Sequence, residues 1–367
     1  MVNIATVIEF LEEFAPSHLA AQWDNVGLLL GDRQTAVQRI MTCLTVTPQS
    51  AAEALSAGAQ LIVSHHPILF HGIKRLTTAT LEGRMLLELI RGGVAVYSPH
   101  TAFDNTAGGI NESLTRKLDL QEVGPLRQGA GPRQCKVVVF VPDTDLERVS
   151  QAMFAAGAGS IGQYSQCSFR TAGTGTFFGS EEANPTIGTK GRREEVTEWR
   201  LEAICPEARA DAVVAALRAA HSYEEPAYDI YPLRPQSLAA GEGRKGRLPA
   251  ALSLAELAQV VKTRLPCQQV QFVGDPARSI ETIAVVCGAG GEFLADVIRE
   301  GVDLLLTGEL RFHDYLTAQA EGLAFLLPGH YATERPGVEE LAARLQAKWP
   351  ELQVWASRQE HDPLHWV

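Results

Sequence analysis

The feature that most constrains the fold is an alternation of helix and strand patterns that occurs near both ends of the chain. In the first 120 residues, apolar strand patterns at 40–46, 61–63 and 94–97 alternate with helix patterns at 4–14, 50–57 and 81–90. Near the end, strand patterns at 283–286, 304–306 and 324–327 alternate with helix patterns at 292–299, 315–320 and 338–348. Strands separated by helices of this length predict βαβ units and a mainly parallel sheet, which is an α/β fold class.

The two stretches can be laid on each other in register. Gly58 ends a helix seven residues before His65, as Gly301 ends a helix seven residues before Gly308. The polar positions that this register brings together are His66 with Glu309, Thr101 with His330, and Asn105 with Glu334. We interpret the match as an internal duplication of an α/β half, with polar clusters at corresponding strand ends. The alternative is that unrelated βαβ units simply resemble each other.

A segment with a different pattern separates the two stretches. Its strand patterns lie at 136–141, 199–205 and 227–233, and its helix patterns at 146–156 and 207–220. Two βαβ units of this size predict a ferredoxin-like α+β domain. Glycine-rich flanks at 129–132 and 240–246 indicate an insertion. We therefore predict one domain from residues 1–130 plus 245–367, and an inserted domain at 133–236. The alternative, three consecutive domains, fails if the segments flanking the insertion share a sheet.

Composition narrows the classes of function. The chain has 367 residues and a net charge of −11, so phosphates would be repelled by most of its surface. We therefore consider a nucleic-acid interface unlikely and expect no membrane association. The start of the chain has no basic region typical of a secretory signal, and no apolar run is long enough to span a bilayer. The six cysteines include no Cys-x-x-Cys pair, which predicts reduced thiols, a cytoplasmic location and no thiolate metal site.

The most informative motif is the LIVSHHP sequence of residues 61–67. His65 and His66 follow a predicted strand where the backbone turns into Pro67, so both imidazoles can reach the crevice above the sheet. That crevice, outside the carboxyl ends of parallel strands, is the usual ligand site of open α/β folds. Adjacent histidines suit two neighbouring metal ions, one imidazole for each, although a pair of loop histidines without a metal is the simpler alternative.

Further polar clusters follow the other predicted strands. Residues 97–104 contain His100 and Asp104, and residues 329–334 contain His330 and Glu334. The last pair, four residues apart, would share one face of a helix. Imidazoles with carboxylates and without thiolates suit Zn²⁺, Fe²⁺ or Mn²⁺ in an open site. A carboxylate can also bridge two cations roughly 3.5–4 Å apart, as Glu334 or Asp104 could here.

Together these motifs resemble the Nif-three-like dinuclear-metal family, whose bacterial members are called GTP cyclohydrolase 1 type 2 homologues. The matching residues are Trp23-Asp-Asn-Val-Gly-Leu28, Ser64-His-His-Pro67, His100-Thr-Ala-Phe-Asp104, Gly108-Gly-Ile-Asn111, Thr307-Gly-Glu309, His313-Asp314, Gly329-His330 and Thr333-Glu334. The middle segment is similar to the inserted domain of longer family members, which resembles CutA and PII proteins. That likeness rests on Gly188, Gly191 and residues 221–226.

The resemblance implies a set of ligands and an assembly. It places two divalent ions per chain on five ligands: His65, His66, Asp104, His330 and Glu334. It also implies a toroidal homohexamer whose metal sites face an internal cavity. By the family's name the substrate would be GTP, a small-molecule nucleotide, opened hydrolytically at the imidazole ring with release of formate. We therefore expect a metal-dependent hydrolase. The alternative is a metal-binding regulatory or assembly protein whose inserted domain senses a small ligand or a partner.

Several polar residues have two interpretations each. His100 is a candidate for moving protons in catalysis, and the alternative is a loop histidine that caps a strand end. His313 and Asp314 either support the site or relay protons, or they cap the start of a helix. Asp24 and Asn25 are expected to shape a turn beside the site. His71, Lys74 and Arg75 could contact a phosphate, but a solvated basic loop is the simpler interpretation. The remaining candidates are expected to be structural: the glycines at 288–291, and His221, Glu224 and Glu225 in the insert.

Overall fold

The computed structural model describes residues 2–130, 133–234 and 237–367. Residues 131 and 132 in the predicted glycine-rich flank, and 235 and 236 at the predicted end of the insert, lie outside the described residues. The chain forms two compact units. One unit contains residues 1–129 with 238–367, and the other contains residues 130–237. In the part of the chain described, no helix is both long and apolar enough to cross a membrane.

Among the described residues, the first half of the larger unit contains five α-helices and four strands. Its helices are α1 (Ile4–Phe14), α2 (Pro48–Ser56), α3 (Leu81–Arg91), α4 (His100–Asn105) and α5 (Ile110–Lys117). Its strands are β1 (Gly27–Leu30), β2 (Arg39–Cys43), β3 (Leu61–Ser64) and β4 (Ala95–Ser98). Strands β2, β3 and β4 are parallel neighbours, and β1 pairs antiparallel with β4. The apolar run of β3 is buried along its whole length, as expected for a central strand.

The smaller unit contains four strands and two helices. They are β6 (Gln134–Pro142), α6 (Leu146–Ala155), β7 (Phe169–Phe178), β8 (Arg193–Pro206), α7 (Ala210–Ala220) and β9 (Tyr228–Pro232), while β5 (Gln121–Ala130) precedes them. The antiparallel sheet has the order β7-β8-β6-β9. A βαββαβ chain with this order is a ferredoxin-like fold. Strand β7 was not among the predicted strands, since it is exposed and rich in glycine and threonine.

The second half of the larger unit repeats the plan of the first. Its strands are β10 (Ser237–Ser253), β11 (Gln271–Val273), β12 (Ser279–Ala289), β13 (Leu304–Glu309) and β14 (Ala324–Leu327). Its helices are α8 (Leu254–Arg264), α9 (Leu294–Glu300), α10 (Phe312–Glu321) and α11 (His330–Lys348), with β15 (Gln353–Ala356) after them. Strands β12, β13 and β14 are parallel, and β11 pairs antiparallel with β14. The order β11-β14-β13-β12 therefore matches β1-β4-β3-β2, which confirms the duplication.

The outer strands show how the halves complete each other. Strand β15, from the end of the chain, pairs in parallel with β2 of the first half. Strands β5 and β10, which flank the insertion, are neighbours in the sheet of the second half. Both sides of the insertion therefore contribute to one sheet, which is the arrangement that an inserted domain predicts.

Helix α11 lies between the two sheets of the larger unit. It contacts β2 and β15 of one sheet and β12 and β13 of the other. The largest apolar core accordingly joins residues from both halves, such as Leu61 and Val63 with Leu304 and Leu306. Because the first residues of α11 carry His330 and Glu334, this packing places those side chains next to strand ends of both halves.

Candidate metal centre

The predicted ligands meet where three strand–helix connections of the larger unit converge. His65 and His66 follow β3, whereas His100 is the first residue of α4 and His330 the first residue of α11. Asp104 and Glu334 each lie four residues further along their helix, so they project from the same side as the histidines. All of these side chains except His65 line a cleft of about 280 Å³.

His65 is the buried member of the histidine pair, with 2% of its surface exposed. Its Nε2 atom lies 3.6 Å from Asp104 Oδ1 and 3.8 Å from Glu334 Oε1. Neither ring nitrogen has a hydrogen-bond partner among the described residues. Burial holds the pKa of His65 well below its usual range, so the imidazole is neutral and retains a lone pair for a metal ion.

Glu334 is the central carboxylate, because its two oxygens face different histidines. Oε1 faces His65, whereas Oε2 lies 3.0 Å from both His66 Nε2 and His330 Nε2. Burial would raise the pKa of Glu334, but the short contacts to His330 and His66 outweigh it and hold this pKa far below the ordinary value. The group is therefore an anion with each oxygen directed at a separate set of imidazoles, which is the arrangement of a bridging carboxylate.

Asp104 supplies a second buried carboxylate. Burial and the negative charge of Glu334 raise the pKa of Asp104 to about 7. The Cys287 thiol donates to Asp104 Oδ1 over 3.1 Å. Burial, followed by the charge of Asp104, raises the pKa of this thiol well above its usual value, so Cys287 stays protonated and acts as a donor. Two buried carboxylates repel each other, and cations between them would remove that repulsion.

The donor atoms fit divalent cations. Ring nitrogens of His65, His66 and His100 lie within 4.8 Å of one another, as do ligand atoms of His66, His330 and Glu334. His330 Nε2 and Glu334 Oε2, like both nitrogens of His65, are buried and have no hydrogen-bond partner in the described part of the chain. A divalent cation between these nitrogen and oxygen atoms would satisfy them together.

Two contacts orient the histidines from behind. Thr45 Oγ1 lies 2.7 Å from His66 Nδ1, and Glu309 Oε1 lies 3.2 Å from His330 Nδ1. The pKa of His330 is raised to about 9, mainly by its contact with Glu334 and further by Glu309. Partners of this kind commonly hold metal-binding imidazoles in one rotamer and make them more basic.

Close backbone approach around Glu334 requires glycine at two positions. Gly288 has φ of +62°, and a Cβ atom there would lie 2.3 Å from Glu334 Oε1. A Cβ atom at Gly308 would lie 2.7 Å from the Gly288 carbonyl oxygen. The glycines at 288–291 were predicted to be structural, and Gly288 has a definite structural role, because the absence of a side chain there makes room for the Glu334 carboxylate.

His100 forms a pair with Asp24 beside the ligands. Its Nδ1 atom lies 2.7 Å from Asp24 Oδ1, and Asp24 Oδ2 also accepts from the Thr101 backbone. Burial lowers the pKa of His100, but the Asp24 hydrogen bond and the charge of Asp104 outweigh it and raise the pKa above its usual value. His100 has φ of +32°, a conformation that side chains with a Cβ rarely adopt. Asp24 therefore does more than shape a turn, because it orients this imidazole.

Other predicted candidates lie away from the cluster. His313 is exposed on α10 and belongs to neither group of metal-ligand atoms found among the described residues. Asp314 accepts from the Arg311 backbone at the start of α10, which is a capping role. His71, Lys74 and Arg75 lie in an exposed loop. In the insert, His221 contacts the Phe140 carbonyl and accepts from the Tyr223 backbone, as the structural interpretation expects.

The residues that support the ligands were difficult to predict from sequence patterns. Thr45 lies in the bend after β2 and Cys287 lies in strand β12, and neither belongs to a motif of metal ligands. Asn111, which accepts from the Cys287 backbone and donates to the Asp104 carbonyl, lay within a family motif but had no assigned role. The register of the duplication was a usable signal, because it places Glu309 and His66 at corresponding strand ends.

Comparison with known sequences identifies a family. The model of the Duf34/NIF3 (NGG1p interacting factor 3) family matches residues 2–363. The chain is 37% identical over 370 residues to the GTP cyclohydrolase 1 type 2 homolog of Halalkalibacterium halodurans, covering 100% of both chains. It is 36% identical over 331 residues to the protein of the same name from Bacillus subtilis, covering 90% of this chain and 89% of that one.

Comparison with solved structures gives the same result. A Bacillus cereus protein related to NIF3 aligns with a TM-score of 0.73 and 34% identity, over 100% of this chain and 99% of that one. A Staphylococcus aureus protein aligns with a TM-score of 0.81 and 25% identity over the same shares. The match over nearly the whole chain, together with the duplicated fold, shows that the chain belongs to the Duf34/NIF3 family.

Proposed function

We propose that the protein is a metal-dependent hydrolase with two divalent cations in the cleft. The observation that carries the proposal is the position of Glu334, whose Oε1 faces His65 while Oε2 contacts His66 and His330. A carboxylate shared in this way between separate imidazoles, with Asp104 next to His65, provides two adjacent sets of nitrogen and oxygen ligands.

The ligands divide by their distances. His65, Asp104 and Glu334 Oε1 would hold one cation, while His66, His330 and Glu334 Oε2 would hold the other. The set suits Zn²⁺, Fe²⁺ or Mn²⁺. When bound, such cations supply an activated water nucleophile at neutral pH and polarise the bond under attack.

The protein residues contribute proton transfer and orientation. His100 lines the cleft, and Asp24 holds its Nδ1 atom, so Nε2 is the nitrogen available to a substrate. With a raised pKa, His100 can hold a proton near neutral pH and deliver it to a leaving group. Asp24 keeps the ring in one orientation, as carboxylates do for other catalytic imidazoles. His313, which is exposed on α10, has no such support.

The substrate class comes from the relatives. The proteins from H. halodurans and B. subtilis are named GTP cyclohydrolase 1 type 2 homologs, so we propose a nucleotide-like substrate whose ring is opened with release of formate. We also propose the homohexamer that the family resemblance implies. These two statements rest on similarity and not on the geometry of the cleft.

The test combines metal analysis with turnover. We expect two equivalents of a divalent metal per chain by elemental analysis, and formate release when metal-loaded protein is incubated with GTP. Glu334→Gln should lose metal and turnover together, whereas Glu321→Gln, at an exposed residue of α10, should change neither. Two metals without hydrolysis of any nucleotide would favour a metal-binding regulatory protein. Full metal content in Glu334→Gln would refute the shared-carboxylate site.

A further inference from the structure

The inserted unit contains a cavity that the metal centre does not use. It has a volume of about 560 Å³, which is sufficient for a small organic molecule. Small residues of β7, from Thr171 to Thr176, form one side, and loops at 179–187 and 223–227 form the others. Apolar contact surface comes from Phe140, Phe177 and Ile187. All of these residues belong to the inserted unit.

The walls of this cavity are fixed before any ligand binds. Thr186 Oγ1 donates to the Ser222 carbonyl, and the Asn184 backbone donates to Glu224 Oε1 over 3.2 Å, so the two loops are joined. His221 anchors the second loop, because its Nδ1 accepts from the Tyr223 backbone over 3.0 Å and its Nε2 lies 3.0 Å from the Phe140 carbonyl. A preformed pocket loses little entropy when it binds a ligand.

Two polar groups of the cavity, the Glu198 carboxylate and the Tyr223 hydroxyl, are neighbours. Glu198 is 8% exposed and makes no ion pair among the described residues, and the Tyr223 hydroxyl beside it is buried. Burial, and then the hydrogen bond and the charge of Glu198, raise the pKa of Tyr223. A Cβ atom at Gly175 would lie 2.0 Å from Glu198 Oε2, so glycine at this position leaves space for the carboxylate. A buried carboxylate without a cationic partner requires an explanation, and a cationic ligand would supply it.

The charges around Glu198 define the chemistry of that ligand. Glu224 and Glu225 already accept hydrogen bonds from Asn184 and Arg218, and Arg200 donates to Glu202. Glu198 is therefore the buried charged group of the cavity lining that lacks an oppositely charged partner in the described part of the chain. A carboxylate only accepts hydrogen bonds, so its partner must donate, and charge-assisted donors bind it most strongly.

We propose that the inserted domain binds a small molecule with an apolar ring and a cationic N–H donor group, such as an amidinium. The donor group contacts the Glu198 carboxylate and the Tyr223 hydroxyl, and the ring lies between Phe140, Phe177 and Ile187. This site is separate from the proposed hydrolase function and binds its ligand with or without metal.

The test uses three probes that differ mainly in charge: benzamidine, benzamide and benzoate. Each is titrated by calorimetry into the full-length protein in the presence of a chelator. We expect saturable binding of benzamidine, at least tenfold weaker binding of benzamide, and none of benzoate. Glu198→Gln should weaken benzamidine binding by roughly tenfold or more, and Tyr223→Phe by about two- to tenfold, the range for lost charged and neutral hydrogen bonds.

Glu195→Gln is the matched control, because Glu195 is an exposed residue of the same strand and does not line the cavity. It should bind benzamidine like the unaltered protein. No saturable benzamidine binding, equal binding of benzoate, or unchanged affinity in Glu198→Gln would each overturn the proposal. If Glu198→Gln fails to fold, which near-ultraviolet circular dichroism would reveal, the comparison of the three probes on the unaltered protein still decides.

Discussion

Replacing Gly288 by alanine should separate backbone strain from damage to the metal centre. Both Gly288 and Gly322 adopt left-handed φ, at +62° and +65°, so alanine at either position costs about 1–2 kcal/mol of stability from the backbone alone. The two positions differ in their surroundings. A Cβ atom at Gly322 meets nothing within 4 Å, whereas at Gly288 it would lie 2.3 Å from Glu334 Oε1.

The added methyl group at position 288 must displace the carboxylate rather than the backbone. The Gly288 backbone is held on both sides, since its N–H donates to Thr333 Oγ1 over 3.0 Å and its carbonyl accepts from Thr307 Oγ1 over 3.0 Å. Ordinary carbon contacts are about 3.5 Å, so Glu334 has to move by roughly 1 Å. Changes of that size in the support of a metal ligand typically cost about 10–100-fold in affinity.

The assay is a metal titration against a chromophoric chelator, combined with urea unfolding of the metal-free variants. We expect Gly322→Ala to bind metal like the unaltered protein, and Gly288→Ala to bind it at least tenfold more weakly. Both should lose stability, with the larger loss in Gly288→Ala. If Gly288→Ala and Gly322→Ala bind metal within twofold of each other, then Glu334 is not a ligand held in the position described here.

Three further predictions test the surroundings of the site. Asp24→Asn should lower the pKa of His100, because Asp24 and Asp104 offset the lowering of this pKa by burial. NMR titration of the ring protons in metal-free protein would measure the pKa, and an unchanged value would contradict the pairing of His100 with Asp24. Glu360 accepts hydrogen bonds from the Leu44 and Thr45 backbone and pairs with buried Arg335. Glu360→Gln should therefore lower the free energy of unfolding, measured in urea, by about 1.5–3 kcal/mol and weaken metal binding. The control Glu351→Gln, at an exposed residue, should change neither quantity. Burial would raise the pKa of Glu53, but hydrogen bonds from Ser357, Arg358 and Gln359 outweigh it and lower this pKa. The ionised Glu53 carboxylate therefore stabilises the folded protein above the ordinary pKa of 4.5, and this contribution is lost as the pH falls below that value. The difference in free energy of unfolding between the unaltered protein and Glu53→Gln should therefore shrink below that pH. A difference that stays constant with pH in urea unfolding would refute this assignment.

Much of the fold was predictable because hydrophobic periodicity dominates the two halves. Helix α1 begins and ends at the predicted residues, and β14 matches its predicted range. Helix α11 shows where local pattern fails. The predicted helix begins at Val338, directly after Pro336 and Gly337, two residues that normally end helices. It begins at His330 instead, since α11 is buried between two sheets and Gly337 allows close packing on Ile110 of α5. Tertiary contacts that a local pattern does not contain therefore outweighed two residues that break isolated helices.

The candidate site shows the same division between local and distant information. Strand pairing equates Leu61 with Leu304 and Ala95 with Ala324, in agreement with the register taken from the sequence. The helices that follow do not keep this register, since α4 begins at His100 and α11 one position later, at His330. As a result Asp104, and not Asn105, occupies the same place in its helix as Glu334. A one-residue offset between strand and helix depends on how each turn closes, which periodicity does not report. The residues behind the ligands are harder still to predict, because Glu360 reaches the His66 side through Thr45, a contact that spans 315 positions of the chain.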